Sequence, residues 1–471
     1  MLFSSTIFIF LFLPFVIAIY YGLLMKRRNA QNIFLLIMSL VFYAWGEPMF
    51  VFIMLLMIVA NWYFGILVDR YREKKRTVYT IITLMVAMNL SILFAYKYYT
   101  FFMTNISSTF GIPLEIPKLL LPIGISFFTF HAISYVMDIY RQNGSVQKYP
   151  INVGLYICFF PQLVAGPIVR YETISKQINS RKETFNDFSM GVCRFIMGLA
   201  KKLLIANSMA LLADKAFSLD GGGLSVSFAW LGAIAYAFQI FFDFSGYSDM
   251  ALGLGRMFGF HFEENFNFPY ISKTISEFWR RWHISLGMFF RKYVYFPMGG
   301  NRVASKSRLV FNLFVVWALT GIWHGANWTF IIWGLYYFLF ITAEKLFNIT
   351  AKVPSKLDFL KHIYVIVVVL IGWVLFRSNN ITSAFGYLKS MFGMNGNLLF
   401  DDFTLLSLQE NAVVLVSAVI FSMPVGRYLN EKIKFNGFAK VFVPIMYMFL
   451  FYVCICFLVK GAYNPFIYFN F

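Results

Sequence analysis

Charged residues are scarce in this sequence: they make up 13% of its 471 residues, against 60% hydrophobic and 21% aromatic residues. Soluble domains carry roughly 25% charged residues, and no soluble core buries this much apolar surface. Stretches 2–24 and 441–459 contain no charged side chain, and each is long enough to cross about 30 Å of hydrocarbon as a helix. We therefore expect a polytopic, all-α integral membrane protein.

Cysteine is also rare, with four residues in the chain: Cys158, Cys193, Cys454 and Cys456. All four lie in apolar segments and show neither metal-ligand spacing nor the pattern of a disulfide-rich secreted domain. We expect them to serve packing, and we expect no metal site.

Acidic residues are outnumbered by basic ones, 21 to 40, which gives a net charge of +19. The basic residues form short clusters between apolar segments, as the positive-inside rule predicts, so membrane topology explains them and no nucleic-acid partner is expected. Clusters at 26–28 and 70–76 are predicted to be cytoplasmic, which places the N-terminus outside. The first apolar stretch lacks a basic region before it and a cleavage site after it, so we interpret it as a retained span and not a signal peptide.

Roughly eleven to thirteen hydrophobic segments are expected within a single domain, 1–471, and we find no internal repeat. The irregular segment 151–169 contains Pro161, Gly166 and Pro167, which predicts a re-entrant or broken helix. Residues 256–308 alternate basic and aromatic side chains, which predicts a cytoplasmic, partly membrane-dipping region. The tail 461–471 is predicted on the outer side. Other predicted spans include 77–95, 189–216, 224–242, 309–323, 328–343, 362–376 and 411–425.

Histidine is the side chain that best accepts a proton near neutral pH, and the chain has five: 131, 261, 283, 324 and 362. A lone histidine is more often structural than catalytic. His324 differs because small residues and tryptophans surround it in the segment GIWHGANW, near a turn predicted within the membrane, where a polar ring is costly unless it is used or paired. The imidazole of His324 therefore suits the role of a general base. For His283, on a basic aromatic helix, an interfacial hydrogen-bonded role is an open alternative.

Five basic residues cluster near His283: Arg280, Arg281, Arg291, Lys292 and Arg302. Such a cluster binds the phosphates of a nucleotide-bearing cofactor by charge and bidentate hydrogen bonds, or it anchors anionic lipid headgroups. Charge alone does not separate the two. Asp243 and Asp249 lie beside a predicted span, where an internal polar network or a helix cap is the favoured role.

Several ordered motifs resemble the membrane-bound O-acyltransferase family, and specifically the bacterial branch that acetylates cell-envelope polysaccharides such as alginate and peptidoglycan. They are FFPQLVAGPI at 159–168, FDFSGYSDMA at 242–251, FWRRWHISL at 278–286, YFPMGGNR at 295–302 and GIWHG at 321–325. The resemblance implies a helical ring around a central tunnel. It implies that His324 is the family's essential histidine and His283 the second histidine of the bacterial branch.

The resemblance further implies an enzyme of the bacterial inner (plasma) membrane that takes an acyl group from a cytoplasmic thioester, here acetyl-CoA as substrate, with no bound cofactor. A periplasmic or extracellular acetyltransferase would then modify the polysaccharide, and membrane lipids surround the enzyme. The final residues, FIYFNF at 466–471, look like the terminal motif of this branch, in which the tyrosine is proposed to carry the acyl group. That role falls on Tyr468 as a covalent relay, and an aromatic interfacial anchor is the alternative.

Two other functions fit many helices and a buried histidine. One is D-alanyl transfer to teichoic acids within the same family, and the terminal tyrosine motif favours acetyl transfer over it. The other is a multi-pass transporter, which predicts paired charges within the membrane or internal repeats, and we find neither in the sequence. A purely structural scaffold leaves the histidine motif unexplained.

Overall fold

The computed structural model of the protein describes residues 1–117, 119–219, 223–347, 354–426, 428, 437–461 and 467. Throughout these ranges the secondary structure is helical, and they contain no β-strand. The prediction of an all-α membrane protein is confirmed. Eight helices of the described chain are long and apolar enough to cross a membrane: Val51–Arg70, Lys75–Phe110, Phe185–Ser218, Val226–Met257, Trp328–Phe347, Asp358–Arg377, Asp402–Ser422 and Val441–Lys460.

The chain divides into two compact units. One comprises Met1–Phe195 and Tyr247–Glu263, and the other comprises Ile196–Gly246 and Glu264–Phe471. Besides the spans, the first unit contains the helices Phe8–Leu23, Arg28–Ala44, Ile125–Tyr140, Pro150–Cys158, Phe160–Leu163, Tyr171–Ile174 and Gln177–Ser180. The second contains Pro269–Ile271, Ile275–Arg281, Ile284–Phe290, Arg291–Tyr295, Lys306–His324, Ser355–Leu357 and Ile381–Met391, and its last span belongs to the helix Gly437–Lys460.

In the first unit, the broken helix predicted at 151–169 is observed: Pro150–Cys158 ends before Phe159, and a single turn, Phe160–Leu163, follows. Both pieces are largely buried, which meets the requirement that irregular backbone at membrane depth be covered by protein. Polar pairing also occurs here. The amides of Asn61 and Asn89 donate to each other across two spans at 3.1 and 2.9 Å.

The predicted end of the span 77–95 is wrong. The helix runs from Lys75 to Phe110 because Lys97, in its middle, is buried and donates to the hydroxyl of Ser126 at 3.1 Å. A wider, π-helical turn accommodates it at Phe94–Tyr98. A charged residue inside an apolar run thus lies within the helix instead of ending it.

The core of the second unit is unusually aromatic. Trp333, Trp373 and Tyr337 are among its largest fully buried side chains. Their rings meet mostly edge to face, as do Trp333 and Tyr337 at 5.2 Å, an arrangement that adds about 0.5–1.5 kcal/mol per pair to area burial. This core supports the segments that carry the candidate site.

Candidate active site

His324 is the last residue of the helix Lys306–His324, and the next helix begins at Trp328. The turn between them is held by Asn327, whose side-chain oxygen accepts from the N–H of Thr329 at 3.1 Å. Its amide nitrogen donates to the carbonyl of Asn379 at 2.8 Å. The turn predicted at His324 is therefore present, and its hydrogen bonds fix where the helix ends.

Glycine lets the two helices beside His324 pack backbone to backbone. A Cβ at Gly321 would lie 2.5 Å from the carbonyl oxygen of Phe330, and one at Gly334 would lie 2.5 Å from that of Trp317. Such small-residue contacts are typical of close helix pairs in membranes. The small residues of the GIWHG motif thus set helix spacing around the histidine, in addition to leaving room there.

Three aromatic rings enclose the imidazole of His324, which is 4% exposed. Trp323, Trp333 and Phe376 lie with ring centroids 5.0, 4.9 and 5.1 Å from it, each nearly perpendicular to it. The ring is therefore confined to one orientation by packing, as a preorganised catalytic group requires.

His283 occupies the break between the helices Ile275–Arg281 and Ile284–Phe290, with φ +44° and ψ 55°. Its Nδ1 lies 3.1 Å from Oδ1 of Asn265, and the backbone N–H of Ser285 donates to the same oxygen at 3.1 Å. Because that N–H can only donate, the Asn265 atom is an acceptor, and His283 must donate from Nδ1. Nε2 is then the basic nitrogen of the neutral ring.

Burial lowers the pKa of His283 to about 3, because desolvation penalises the imidazolium. The ring is 2% exposed, and its Nε2 has no hydrogen-bond partner in the described part of the chain. His283 is thus neutral at physiological pH, with a lone pair available on Nε2.

The structure brings the two histidines together around one tryptophan. The ring of Trp323 is 5.0 Å from His324 and 6.0 Å from His283. His283 also meets Phe244 edge-on, with the ring centroids 4.7 Å apart. Both predicted histidines therefore line one aromatic site.

A cavity of about 600 Å³ reaches His283, with Trp279, Trp282 and Trp317 among its walls. Thr320, one helical turn before His324, also lines it, whereas His324 itself does not. The volume falls within the range of small-molecule and cofactor sites. The cavity therefore gives a ligand access to the neighbourhood of His283.

Two of the five basic residues predicted to bind phosphate, Arg280 and Arg291, line this cavity and are exposed. Arg281 instead pairs with Glu277, whose carboxylate accepts from Nε at 2.9 Å. Lys292 and Arg302 are not among the lining residues. Sequence reasoning missed Lys345, an exposed third cation at the cavity, which follows Glu344 in a long apolar helix.

Glu344 is a second residue that the sequence did not single out. It is buried, and its two carboxylate oxygens accept from the N–H groups of Ile275 at 2.6 Å and Ser276 at 2.9 Å. These are the first N–H groups of the helix that carries Arg280 and leads to His283, and they attract negative charge. An acidic residue inside an apolar span was the available signal.

The absence of paired charges within the membrane, inferred from the sequence, is wrong. Lys202 and Asp243 lie in two spans, and their Nζ and Oδ1 atoms are 2.7 Å apart, with side chains 3% and 2% exposed. Of the two structural roles expected for Asp243, an internal polar network or a helix cap, this pair fits the first. Asp249 also pairs, with Arg194 at 2.9 Å, in the first unit.

The other oxygen of Asp243, Oδ2, accepts from the backbone N–H of Ile467 at 2.9 Å. The side chain of Ile467 is buried in the same hydrophobic core as Trp333 and Phe376, two of the rings around His324. Tyr468, the predicted relay, lies outside the described residues. It directly follows Ile467 in the sequence.

A helical protein of many spans, in which two buried histidines pack on one tryptophan and one of them, His283, lines a cavity rimmed by cations, has the features of a membrane-embedded transferase. The sequence profile of the membrane-bound O-acyltransferase family matches residues 146–385, and the chain belongs to that family. It is an acyltransferase and a multi-pass membrane protein.

Named relatives narrow the class. The probable alginate O-acetylase AlgI of Pseudomonas aeruginosa is 39% identical over 440 residues, covering 92% of this chain and 83% of the relative. The peptidoglycan O-acetyltransferase of Helicobacter pylori is 35% identical, covering 84% of this chain and 80% of the relative. The teichoic acid D-alanyltransferase of Bacillus subtilis is 33% identical, but the match covers only 48% of this chain and 59% of the relative.

Proposed function

We propose that this acyltransferase passes an acetyl group from cytoplasmic acetyl-CoA across the bacterial plasma membrane for O-acetylation of a cell-envelope polysaccharide of the peptidoglycan or alginate kind. The observation that carries the proposal is the cavity that is lined by His283 and rimmed by cations. Relatives named as alginate and peptidoglycan O-acetyltransferases match along most of the chain, which supports acetyl as the cargo.

Arg280, Arg291 and Lys345 supply three positive charges to one cavity. The phosphates of acetyl-CoA are met by such charges, and guanidinium groups add bidentate hydrogen bonds. The thioester arm then extends between the tryptophans toward the histidines. In this orientation the basic region faces the cytoplasm, and both chain termini face outward.

At the histidines, an acceptor hydroxyl gives its proton to the neutral imidazole of His324 while its oxygen attacks the thioester carbonyl. The carbon–sulfur bond breaks, and CoA leaves as a thiolate that takes up a proton. His283 offers a lone pair on Nε2 at the cavity and assists on the donor side. Each imidazole contributes about 10²- to 10⁴-fold through acid–base catalysis.

Tyr468 is the proposed first acceptor. A phenol has a pKa of about 10, becomes a nucleophile beside an imidazole base, and forms an aryl ester that remains a good acyl donor. The buried Ile467, one residue before it, supports a tail that reaches the histidine site. A periplasmic or extracellular acetyltransferase then takes the acetyl group from the tyrosine to the polysaccharide.

The first test replaces His324 with Ala and measures CoA release and acetyl transfer by purified protein given radiolabelled acetyl-CoA. We expect a loss of at least 100-fold, because the general base is gone. His261→Ala is the matched control, since His261 is largely exposed and pairs with Asp187 at 3.0 Å. Retained transfer in the His324 variant rejects its catalytic role.

The second test separates donor binding from lipid anchoring. Arg280→Gln and Arg291→Gln should raise the KM for acetyl-CoA several-fold with a smaller change in kcat, whereas Arg302→Gln, which is not at the cavity, should leave KM unchanged. An equal effect of all three, or an effect that follows the lipid composition alone, favours the lipid role.

The third test follows the label. Intact-protein mass spectrometry should find an acetyl adduct on the tail, and Tyr468→Phe should abolish both the adduct and transfer to the glycan. Full activity in Tyr468→Phe rejects the relay. Label accepted from a D-alanyl carrier protein but not from acetyl-CoA would indicate D-alanyl transfer, and substrate flux without donor cleavage would indicate a transporter.

A further inference from the structure

We propose that Asp243, held by Lys202, is a positioning residue that fixes the register of the C-terminal tail at the histidine site. The proposal rests on the proposed acyl relay through Tyr468. Its structural basis is one carboxylate with two described partners: Oδ1 meets Lys202 at 2.7 Å, and Oδ2 accepts the backbone N–H of Ile467 at 2.9 Å. All three groups are buried in the same unit.

We call the carboxylate of Asp243 and its two partners, Lys202 and the N–H of Ile467, the seat. Two residues of the seat are each followed in the sequence by a residue connected with the histidine site. Asp243 precedes Phe244, whose ring contacts His283 at 4.7 Å. Ile467 precedes Tyr468, and its side chain is buried in the core that includes Phe376, a ring against His324. Asp243 therefore binds the residue before the proposed nucleophile, Tyr468, and itself precedes Phe244, a residue that contacts His283.

The carboxylate holds the main chain through the N–H of Ile467, and the buried side chain of Ile467 determines which residue of the tail occupies that position. A hydrogen bond to an ionised acceptor is about twice as strong as a neutral one. The lysine compensates the carboxylate, which would otherwise be costly to bury. The helix Gly437–Lys460 packs against Lys201–Ala206, the segment that carries Lys202, so the last span and the seat are joined.

Register matters because a slip of one residue along the tail is large on the scale of the reaction. Consecutive Cα atoms are about 3.8 Å apart, whereas a misplacement of about 1 Å costs on the order of 10²-fold in rate. A tail bound one residue out of step thus presents its hydroxyl outside attack distance.

The decisive experiment inserts one glycine at two places in the full-length protein. A glycine after Ile467 leaves the seat intact and shifts Tyr468, and we expect tyrosine acetylation to fall at least 100-fold. The same glycine after Gly461 lies before the seat and leaves the spacing between Ile467 and Tyr468 unchanged, so acetylation should stay within a few-fold of wild type. Equal tolerance or equal loss at both positions overturns the register role.

A second measurement reads seating without catalysis. Cysteine replaces Ile467, and its modification by a maleimide is located by peptide mass spectrometry, which separates it from the native cysteines. In the background of Asp243→Asn with Lys202→Met, which removes both charges together, labelling should rise about 10- to 100-fold, the factor expected for a lost charged hydrogen bond. Unchanged labelling overturns the seat.

The backbone contact has its own matched pair. Ile467→Pro removes the N–H, and Ile467→Val keeps it with most of the apolar surface; only the proline variant should release the tail to protease and lose tyrosine acetylation. If Tyr468 carries no acetyl in the wild type while the labelling result holds, the relay has failed and the seat has not. If Tyr468→Phe is inactive while labelling is unchanged, the seat alone has failed.

Discussion

Replacement of Asn265 should disable His283 without touching the imidazole. The Asn265 side-chain oxygen is 3.1 Å from Nδ1 of His283 and accepts from the N–H and hydroxyl of Ser285 at 3.1 and 2.9 Å. All three residues are buried. Asn265→Ala leaves these donors without their acceptor, at about 1–3 kcal/mol for each buried group. Because the hydroxyl can rotate toward another acceptor, we expect a total of about 3–5 kcal/mol.

The same substitution removes the acceptor that keeps the proton on Nδ1. The ring of His283 is then free to place its proton on Nε2, which takes away the lone pair at the cavity. We expect acetyl transfer from acetyl-CoA to fall about 10²- to 10⁴-fold, the range of a lost acid–base group. Unfolding of the detergent-solubilised protein measures stability, and CoA release measures activity.

Asn265→Asp is the matched variant because it preserves the acceptor oxygen and adds a negative charge. That charge favours the imidazolium, so the pKa of His283 rises from its lowered value. On the acid side of the pH profile, activity should therefore be lost at a higher pH than in the wild type. If Asn265→Ala stays within three-fold of wild type and Asn265→Asp keeps the wild-type pH profile, the tautomer assignment is wrong.

Three further predictions concern packing, capping and protonation. Gly321→Ala should cost about 1–3 kcal/mol, because its Cβ would lie 2.5 Å from the carbonyl of Phe330; a thermal midpoint equal to wild type contradicts this. Glu344→Gln should lower stability by about 1–2 kcal/mol and raise the KM for acetyl-CoA, because the backbone amides at Ile275 lose a charged acceptor. Glu344→Asp, which keeps the charge, is the comparison. An unchanged KM in Glu344→Gln would mean that Glu344 does not position the helix that carries Arg280. The pKa of His283 is about 3 in the folded protein and 6.5 in its ordinary state. The stability that the neutral ring gives is therefore complete above pH 6.5 and is lost as the pH falls toward 3, at up to about 1.4 kcal/mol per pH unit. The thermal midpoint should therefore fall less steeply over that interval in His283→Gln, and identical slopes would discard the linkage.

The parts of the fold that follow from local pattern were predictable. Apolar run length predicted where most of the spans lie, proline and glycine predicted the break near Pro161, and the turn at His324 followed from small residues between two apolar runs. Each of these signals acts over a few residues of chain. The family motifs singled out both His283 and His324, which no local signal does.

The parts that depend on distant partners were not predictable. Lys97 lies inside a helix because Ser126 accepts from it, and Lys202 meets Asp243 from another span. Glu344 acts on backbone amides 68 and 69 positions away. In each case a polar group in an apolar segment marks the position, while its partner is set by tertiary packing alone.

Completion of the second unit is delayed during synthesis. The carboxylate of Asp243 and the amide of Ile467 are 224 positions apart in the chain. At about 5–20 residues per second, roughly 10–45 s separate the emergence of the two from the ribosome. Throughout that interval the hydrophobic core that contains Trp333 and Phe376 lacks Ile467, so an insertase or chaperone that shields this core should raise the yield of active enzyme more than the yield of inserted helices.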